Sequence, residues 1–227
     1  MSISTHNRLL GCLFVVVSGS AMAELPPILI TAGRVAETAE ETLRSVTVVE
    51  REAIEKQQPR DISEILRRAP GVEVGRTGGP GQQTSVFLRG TESDHTLVLL
   101  DGVPINPATI GGAAFQHLVP DQVDRVEVVR GPLSTLYGGS AIGGVIQVFT
   151  RRPTVGTRAQ VTGSAGSDDT INGAVALSHA DERFDVSAAL SHLDTAGYPA
   201  RQRPFLQIDQ GYRNTSFNGS VGVAIDG

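Results

Sequence analysis

The stretch RVEVVRGPLSTLYGGSAIGGVIQVF, residues 125–149, decides the fold of this chain. It holds two runs rich in valine and isoleucine, at 126–129 and 145–149, separated by glycine and proline. Short β-branched runs bounded by such residues are typical of strands. The stretch therefore predicts two strands joined by a glycine-rich connection.

The glycines at 138–144 have the frame of a phosphate-binding loop but lack its chemistry. Val145 stands where that loop needs lysine, and Ile146 stands where it needs serine or threonine. The sequence contains no GxGxxG, HExxH or GxSxG motif, and its five histidines show no metal-ligand spacing. We therefore expect no enzyme activity and no resident cofactor, and we expect the glycines to permit tight turns and close backbone packing.

The residues around this stretch predict a small mixed α+β domain over 46–153. Asp61 is a candidate N-cap with Glu64 three residues later, as in a capping box, so a helix is predicted from residue 62 to the Pro70-Gly71 pair. Further predicted strands cover residues 46–49, 72–74, 85–88 and 97–100. Glycine or proline separates most of these segments.

Beyond Pro153 the pattern changes to single alternation of apolar with polar or small residues. Four strands are predicted, at 158–166, 172–179, 184–190 and 217–225, with about the length that a tilted strand needs to cross a bilayer. A half-buried sheet of a soluble protein shows the same alternation. On periodicity alone both interpretations stay open.

Five motifs in order resemble the plug domain of TonB-dependent outer-membrane receptors. They are PGV at 70–72, FLRG at 87–90, VLLDGVP at 98–104, RVEVVRGP at 125–132 and YGGSAIGGVI at 137–146. Within that family, LRGT at 88–91 with His95 and GGPGQ at 78–82 is most similar to the cobalamin (vitamin B12) receptors. The resemblance implies an α+β plug domain, followed over 154–227 by the start of an antiparallel transmembrane β-barrel of about 22 strands.

The N-terminus predicts export. Residues 1–23 have a basic start, an apolar run and the small-residue pattern Ala21-Met22-Ala23, as in a cleaved signal peptide. The alternative is a lipoprotein box that ends at Cys12, although the apolar run continues past it. Cleavage after Ala23 leaves 18 basic and 24 acidic residues, a balance of −6 that disfavours nucleic acid as a partner. With the family resemblance, this predicts the outer membrane of a Gram-negative cell.

The resemblance places the family's TonB box early in the segment 24–45, which we expect to be flexible. The box residues are Ile28, Leu29, Ile30, Thr31 and Ala32. An extended peptide behind two prolines suits strand addition to the energy-transducing TonB complex at the periplasmic side. The alternative is that these residues form an edge strand of the plug.

The resemblance also assigns plug residues to the ligand. The predicted contacts are Gly79, Gln82, Gln83, Glu92, Asp94, His95, Asn106 and Thr109. The cargo is a scarce, bulky small molecule, either cobalamin or a ferric siderophore. The cobalamin receptor binds calcium in acidic barrel loops, but Asp209 stands in a segment that lacks two of the expected acids, so calcium is doubtful and any metal ligands stay unknown.

A second set of plug residues is predicted to hold the structure and transmit force. It comprises Arg89, Gly90, Asp101, Gly102, Arg130, Gly131, Tyr137 and Gly138. With Arg125 and Glu127, the charged members are expected at strand ends. We expect them to pair with carboxylates of the barrel lumen or with one another rather than with ligand.

Four strands do not close a barrel, because an unpaired edge would leave backbone groups unsatisfied in hydrocarbon. We therefore expect the sequence to be part of a longer reading frame, so that transport belongs to the complete receptor. Two other classes stay open. A soluble periplasmic binding module would form a closed sheet after Pro153, and a secretion gate would not need the TonB box.

Overall fold

The computed structural model describes residues 29–30, 37–38, 43–107, 109, 111–199 and 209–224. The predicted signal peptide and its cleavage site lie outside these ranges. Among the residues described, no helix is both long and apolar enough to cross a membrane.

The elements follow one another along the chain in two groups, a mixed α/β region and then four long strands. The strands are β1 Leu29–Ile30, β2 Glu37–Thr38, β3 Ser45–Val49, β4 Val72–Arg76, β5 Thr84–Leu88, β6 Thr96–Leu100, β7 Val103–Pro104, β8 Val123–Arg130, β9 Gly144–Thr150, β10 Gly156–Gly166, β11 Thr170–Ala180, β12 Phe184–Thr195 and β13 Tyr212–Val223. The α-helices are α1 Arg51–Gln57, α2 Ile62–Leu66 and α3 Ser134–Tyr137. Short 3-10 turns lie at Ser93–His95, Phe115–His117, Pro120–Gln122 and Gly139–Ala141.

A five-stranded sheet in the order β3-β8-β9-β6-β7 forms the centre of the α/β region. β6 and β9 are parallel, and the other neighbours are antiparallel. A separate hairpin, β4-β5, lies beside this sheet. The two strands that the valine-rich runs predicted, β8 and β9, are present and pair with each other in this sheet.

Both faces of the central sheet are buried. One face packs against α1, α2 and the β4-β5 hairpin in a cluster of Ile54, Ile62, Ile65, Leu66, Val86, Leu88, Phe115, Val126, Val128, Ile146 and Val148. The other face forms a smaller cluster of Leu97, Leu99, Val129, Leu133, Ala141 and Val145 near α3. Because apolar side chains are buried on both faces, successive valines of β8 and β9 enter different clusters, with Val128 and Val148 in the first and Val129 and Val145 in the second.

The predicted cap of α2 is present, with one difference. The Glu64 backbone N–H donates to the Asp61 carboxylate at 3.3 Å, which satisfies one free amide of the first turn. The Glu64 side chain accepts the N–H of Arg60 at 3.0 Å instead of that of Asp61, so the reciprocal bond of a capping box is shifted by one residue. α2 ends at Leu66 rather than at Pro70, because tighter turns continue to Ala69.

The four long strands form an antiparallel sheet in the order β10-β11-β12-β13. Each strand has 11 or 12 residues, and each pairs along nearly its full length. The register aligns Val161, Val175, Leu190 and Phe217 in one row across all four strands. Because side chains alternate along a strand, this row fixes which residues share each face.

Short turns join the first three of these strands. Asp168 and Asp169 adopt positive φ between β10 and β11. Between β11 and β12, the Asp181 carboxylate accepts the N–H groups of Arg183 and Phe184 at 2.7 and 2.9 Å. These two donors lower the pKa of Asp181 from its ordinary 3.8. Residues 196–211 make the longer connection between β12 and β13. It begins at the same end of the sheet as the β10-β11 turn, where the Ala196 N–H donates to the Asp168 carbonyl at 2.9 Å.

Candidate functional site

The four-stranded sheet exposes its apolar face and turns its polar face toward the α/β region. The outward face includes Val161, Phe217 and Val221, whose exposed fractions are 77%, 74% and 77%. The inward face carries Ser191 and Thr195, which are buried. A half-buried sheet of a soluble protein would have the opposite polarity. This polarity is that of a lipid-facing barrel wall around a polar lumen.

Polar pairs border the outward apolar band at both ends. At the end with the long connection, Arg213 and Asp194 form an ion pair at 2.6 Å, and His192 lies 2.7 Å from the Thr215 hydroxyl. At the opposite end, the Thr157 hydroxyl lies 2.8 Å from a ring nitrogen of His179. The apolar segments between these pairs are of the kind that spans hydrocarbon between two interfaces.

Polar groups mediate the contact between the sheet and the α/β region. Arg151 Nη1 donates to Gln160 Oε1 at 2.6 Å. Beside this bond lies a cavity of about 20 Å³ lined by Gln122 and Thr162, among others. The Nε2 atom of Gln122 and the hydroxyl of Thr162 are buried and have no protein hydrogen-bond partner. A space of this size is large enough for one water molecule.

The predicted ligand residues belong to three segments, 78–83, 91–95 and 106–113. The described residues of the last two segments lie side by side. Asn106 holds them in place, because its amide accepts the N–H of Val98 at 2.7 Å and donates to the carbonyls of Thr96 and Gly111 at 3.0 and 2.5 Å. A side chain at Gly111 would overlap Asp94. The Asn106 side chain therefore positions the loop, and its predicted ligand contact stays a prediction.

The predicted ligand residues differ in how accessible they are. Gln83, Glu92, Asp94 and Thr109 are exposed, Gln82, His95 and Asn106 are half-buried, and Gly79 is buried. The Gly79 N–H donates to Gln210 Oε1 at 3.3 Å, so this part of the 78–83 turn faces the four-stranded sheet.

Arg125 and Glu127 lie inside β8, not at a strand end as predicted. β8 begins at Val123, two residues before Arg125, because pairing with Thr150 of β9 extends the strand through an irregularity. Arg125 Nε donates to Glu127 Oε1 at 3.0 Å, and its guanidinium stacks 3.7 Å from the ring centroid of Phe149. The Glu127 side chain is fully buried. This part of the motif is a structural ion pair within the sheet.

The comparisons with known proteins agree with this geometry. Residues 38–145 match the family model described as TonB-dependent Receptor Plug Domain. Residues 38–145 are a TonB-dependent receptor plug domain. The strands β10 to β13 follow this plug and resemble the first strands of the barrel that surrounds it in such receptors.

Curated relatives carry the name vitamin B12 transporter BtuB. One from Photobacterium profundum is 37% identical over 198 residues, which is 86% of this chain and 32% of that protein. One from Vibrio vulnificus is 36% identical over 200 residues, 88% of this chain and 33% of that protein. The chain thus spans about a third of the length of these relatives.

Solved structures share the fold. The pyoverdine receptor FpvA of Pseudomonas aeruginosa superposes with a TM-score of 0.73 at 21% identity, covering 87% of this chain and 25% of that chain. The ferric yersiniabactin uptake receptor FyuA of Yersinia pestis superposes with a TM-score of 0.65 at 26% identity, covering 81% of this chain and 29% of that chain. The likeness includes plug and strands together.

Arg89 and Arg130 flank the same glycines of the plug. A side chain at Gly71 would lie 3.6 Å from the Arg130 side chain and 3.7 Å from that of Arg89, and a side chain at Gly131 would lie 3.9 Å from that of Arg89. Arg130 donates to the hydroxyls of Ser45, at 3.1 Å, and Thr47 of β3. Burial and the neighbouring charge of Arg89 lower the pKa of Arg130.

The glycine motifs of the plug build turns with positive φ. Asp101 and Gly102 have φ of 48° and 85° and join β6 to β7 through the two-residue turn that Asp-Gly favours. The Asp101 carboxylate also accepts the Thr150 N–H at 2.9 Å, which ties this turn to β9. Gly90, Gly131 and Gly138 likewise have positive φ. Tyr137 packs against the smaller core cluster.

The predicted TonB box falls only partly within the described residues. Leu29–Ile30 pairs antiparallel with Glu37–Thr38 in a sheet of its own. It joins neither plug sheet, which is at odds with the edge-strand alternative. Ile28, Thr31 and Ala32 lie outside the described residues.

No group of three or more His, Cys, Asp or Glu side chains among the described residues could hold a metal ion. Asp209, at the position considered for calcium, is exposed. Its neighbours Gln210 and Tyr212 instead contact the plug. No local sequence pattern marks these two contacts, because they join positions about 100 to 130 residues apart.

Proposed function

We propose that the complete receptor imports a scarce, bulky ligand across the outer membrane, with energy supplied by the TonB complex. The observation that carries this proposal is the polarity of the four-stranded sheet, whose apolar face is exposed while its polar face meets the plug. That arrangement suits a plug within a barrel wall and makes a soluble binding module a poor fit. The cargo undergoes no bond making or breaking in this function.

Vitamin B12 is the cargo we propose first. The support is the name carried by the relatives at 36–37% identity. The accessible plug residues also suit a large, polar ligand, because amide and small side chains such as Gln83 and Thr109 approach it closely and donate or accept hydrogen bonds. The predicted contacts include no lysine or arginine that would favour a strongly anionic complex.

A ferric siderophore is the second candidate. It is favoured by FyuA, a ferric yersiniabactin uptake receptor whose fold and 26% identity extend over most of this chain. In such receptors the remaining barrel loops also face the ligand. The choice between the two cargoes therefore calls for a binding measurement on the complete receptor.

Coupling to TonB would begin at residues 28–32. The strand conformation of Leu29–Ile30 suits recognition by strand addition, in which backbone hydrogen bonds supply the affinity. Force on this segment would reach β3 first among the strands of the central sheet. There the bonds of Arg130 to Ser45 and Thr47 join β3 to β8, so they are the side-chain contacts we expect to resist the pull.

Calorimetric titration of the complete, detergent-solubilised receptor tests the cargo. Cyanocobalamin would be titrated with and without calcium, and a ferric catecholate would serve as the comparison. Saturable one-to-one binding of the corrinoid supports the proposal. Heat from the iron complex alone would overturn the vitamin B12 assignment and leave the receptor class intact.

Limited proteolysis distinguishes the receptor from a soluble module. Trimming near Pro153 in a protein released from lipid is expected if the strands after it need a complete barrel. One compact, resistant species through Gly227 would support the soluble module instead.

A further inference from the structure

We infer that Gln210 and Tyr212 form a latch that positions the 78–83 turn of the plug against the wall of the barrel. Gln210 Oε1 accepts the Gly79 N–H at 3.3 Å. The Tyr212 ring covers Gly81, where a side chain would overlap it. The latch therefore joins the plug to the start of β13 through one hydrogen bond and one ring contact.

The glycines of the turn fit this role. A side chain at Gly78 would overlap Gln210, and Gly81 also has a positive φ of 76°. Tyr198 lies 3.8 Å from the position of a side chain at Gly79. Absence of a Cβ lets the wall approach the turn closely. The cluster GGPG at 78–81 is thus explained by contact with the wall, whether or not it also contacts cargo.

Two further glycines bring the latch residues to the turn. Gly197 has a positive φ of 71°, and a side chain there would overlap the backbone of Gln210. A side chain at Gly211 would lie 3.3 Å from the carbonyl oxygens of Thr195 and Ala196. The chain leaving β12 and the chain entering β13 therefore pack backbone to backbone, which fixes where Gln210 and Tyr212 lie.

Tyr212 connects a second plug segment to the same point. Its hydroxyl donates to the Gln116 carbonyl at 3.4 Å and lies 3.3 Å from Nδ1 of His117. These residues follow the 106–113 segment, and Phe115 beside them is buried in the core. One wall residue thus holds the 78–83 turn and the end of a second predicted ligand segment in a common position.

Hydrogen exchange in the complete, detergent-solubilised receptor without ligand tests the latch. In Gln210→Ala, amides of 77–83 should exchange about fivefold faster, the change expected for loss of one hydrogen bond of ordinary net strength. Tyr212→Ala, which removes the ring that covers Gly81, should also speed exchange at 77–83. Amides of β8 and β9 should be unchanged, which shows that both variants fold. Asp209→Asn, at an exposed neighbouring position, is the matched control. Unchanged exchange at 77–83 in both alanine variants would overturn the latch.

A second variant pair tests the ring contact. Gly81→Ala should speed exchange at 77–83 in both backgrounds, because alanine is strained at a φ of 76°. The increase should be larger in the wild-type background, where the added methyl also overlaps the Tyr212 ring. Equal effects in both backgrounds would contradict the contact. Because neither measurement uses cargo, a receptor that binds no cyanocobalamin would overturn the proposed cargo and leave this result unaffected.

Discussion

Replacing Phe217 with arginine tests whether the outward face of the four-stranded sheet meets lipid. Phe217 is 74% exposed and lies in the outward row of β13. It follows Arg213 of the polar border by four residues, which is about 14 Å along a strand and about 10 Å in depth at a tilt near 40°. Val221, four residues further along β13, pairs through Val186 with His179 of the opposite border. Phe217 is therefore midway between the two borders, near the middle of a hydrocarbon layer about 30 Å thick.

The expected cost follows from this depth. Arginine on the lipid face near the midplane costs about 2–4 kcal/mol, and the cost falls toward the interfaces. This corresponds to a ratio of folded to unfolded receptor lower by about 30- to 900-fold. If the same side chain faced water, the substitution would change the free energy of unfolding by about 0.5 kcal/mol or less.

Ser220→Arg is the matched control, three residues away on the inward face. Ser220 lies 2.7 Å from the hydroxyl of Ser187, so its loss should cost about 1 kcal/mol or less. The complete receptor would be folded into lipid vesicles and unfolded in guanidinium chloride, with far-UV circular dichroism as the signal. Equal costs for the two substitutions, or a larger cost for Ser220→Arg, would refute the assignment of the faces.

Three further substitutions in the complete receptor test the plug and the turns through the free energy of unfolding. Arg125→Ala should destabilise by about 3 kcal/mol, because it removes a charged partner of the buried Glu127 carboxylate, and an effect below about 0.5 kcal/mol would contradict that role. Gly144→Ala should cost about 1–3 kcal/mol, because the added methyl would overlap the Val129 carbonyl of β8. Gly139→Ala is the control, since nothing lies within 4 Å of the added methyl, and it should cost about 0.5 kcal/mol or less. Equal costs for the two substitutions would contradict the close packing at Gly144. The ionised carboxylate of Asp181 stabilises the fold at pH values above its ordinary pKa of 3.8, and this stabilisation is lost as pH falls through the lower pKa of the folded state. In Asp181→Asn, the free energy of unfolding should lose this part of its decrease at acid pH. The same dependence of the free energy of unfolding on pH in the variant and the wild type would contradict this role.

Much of the fold could be predicted because its signals are local. Runs of β-branched residues marked β8 and β9, and single alternation marked the four long strands. Helix α1 was not located, because Ile54 is its one buried residue and its position depends on distant contacts. Arg51 Nη1 donates to the carbonyls of Pro120 and Val123, both at 2.9 Å, and these bonds join segments about 70 residues apart.

The orientation of the long sheet and the latch could not be predicted from periodicity. Alternation gives two faces but does not say which one is covered, so the outward position of Phe217 had to come from the structure. The same holds for Gln210, because a bond to the Gly79 backbone depends on how plug and wall pack. The Asp-Gly turn at Asp101 is the opposite case, since a two-residue turn has a local signature.

The most direct test of energy-coupled import is uptake of labelled cyanocobalamin by cells that carry the complete receptor and no other receptor for it. Leu29→Pro removes a backbone N–H from the proposed TonB box, and Leu29→Val keeps the strand propensity and serves as the control. We predict that Leu29→Pro binds cyanocobalamin at the cell surface as the wild type does and does not import it, while Leu29→Val imports it. Import by Leu29→Pro at the wild-type rate would contradict the account.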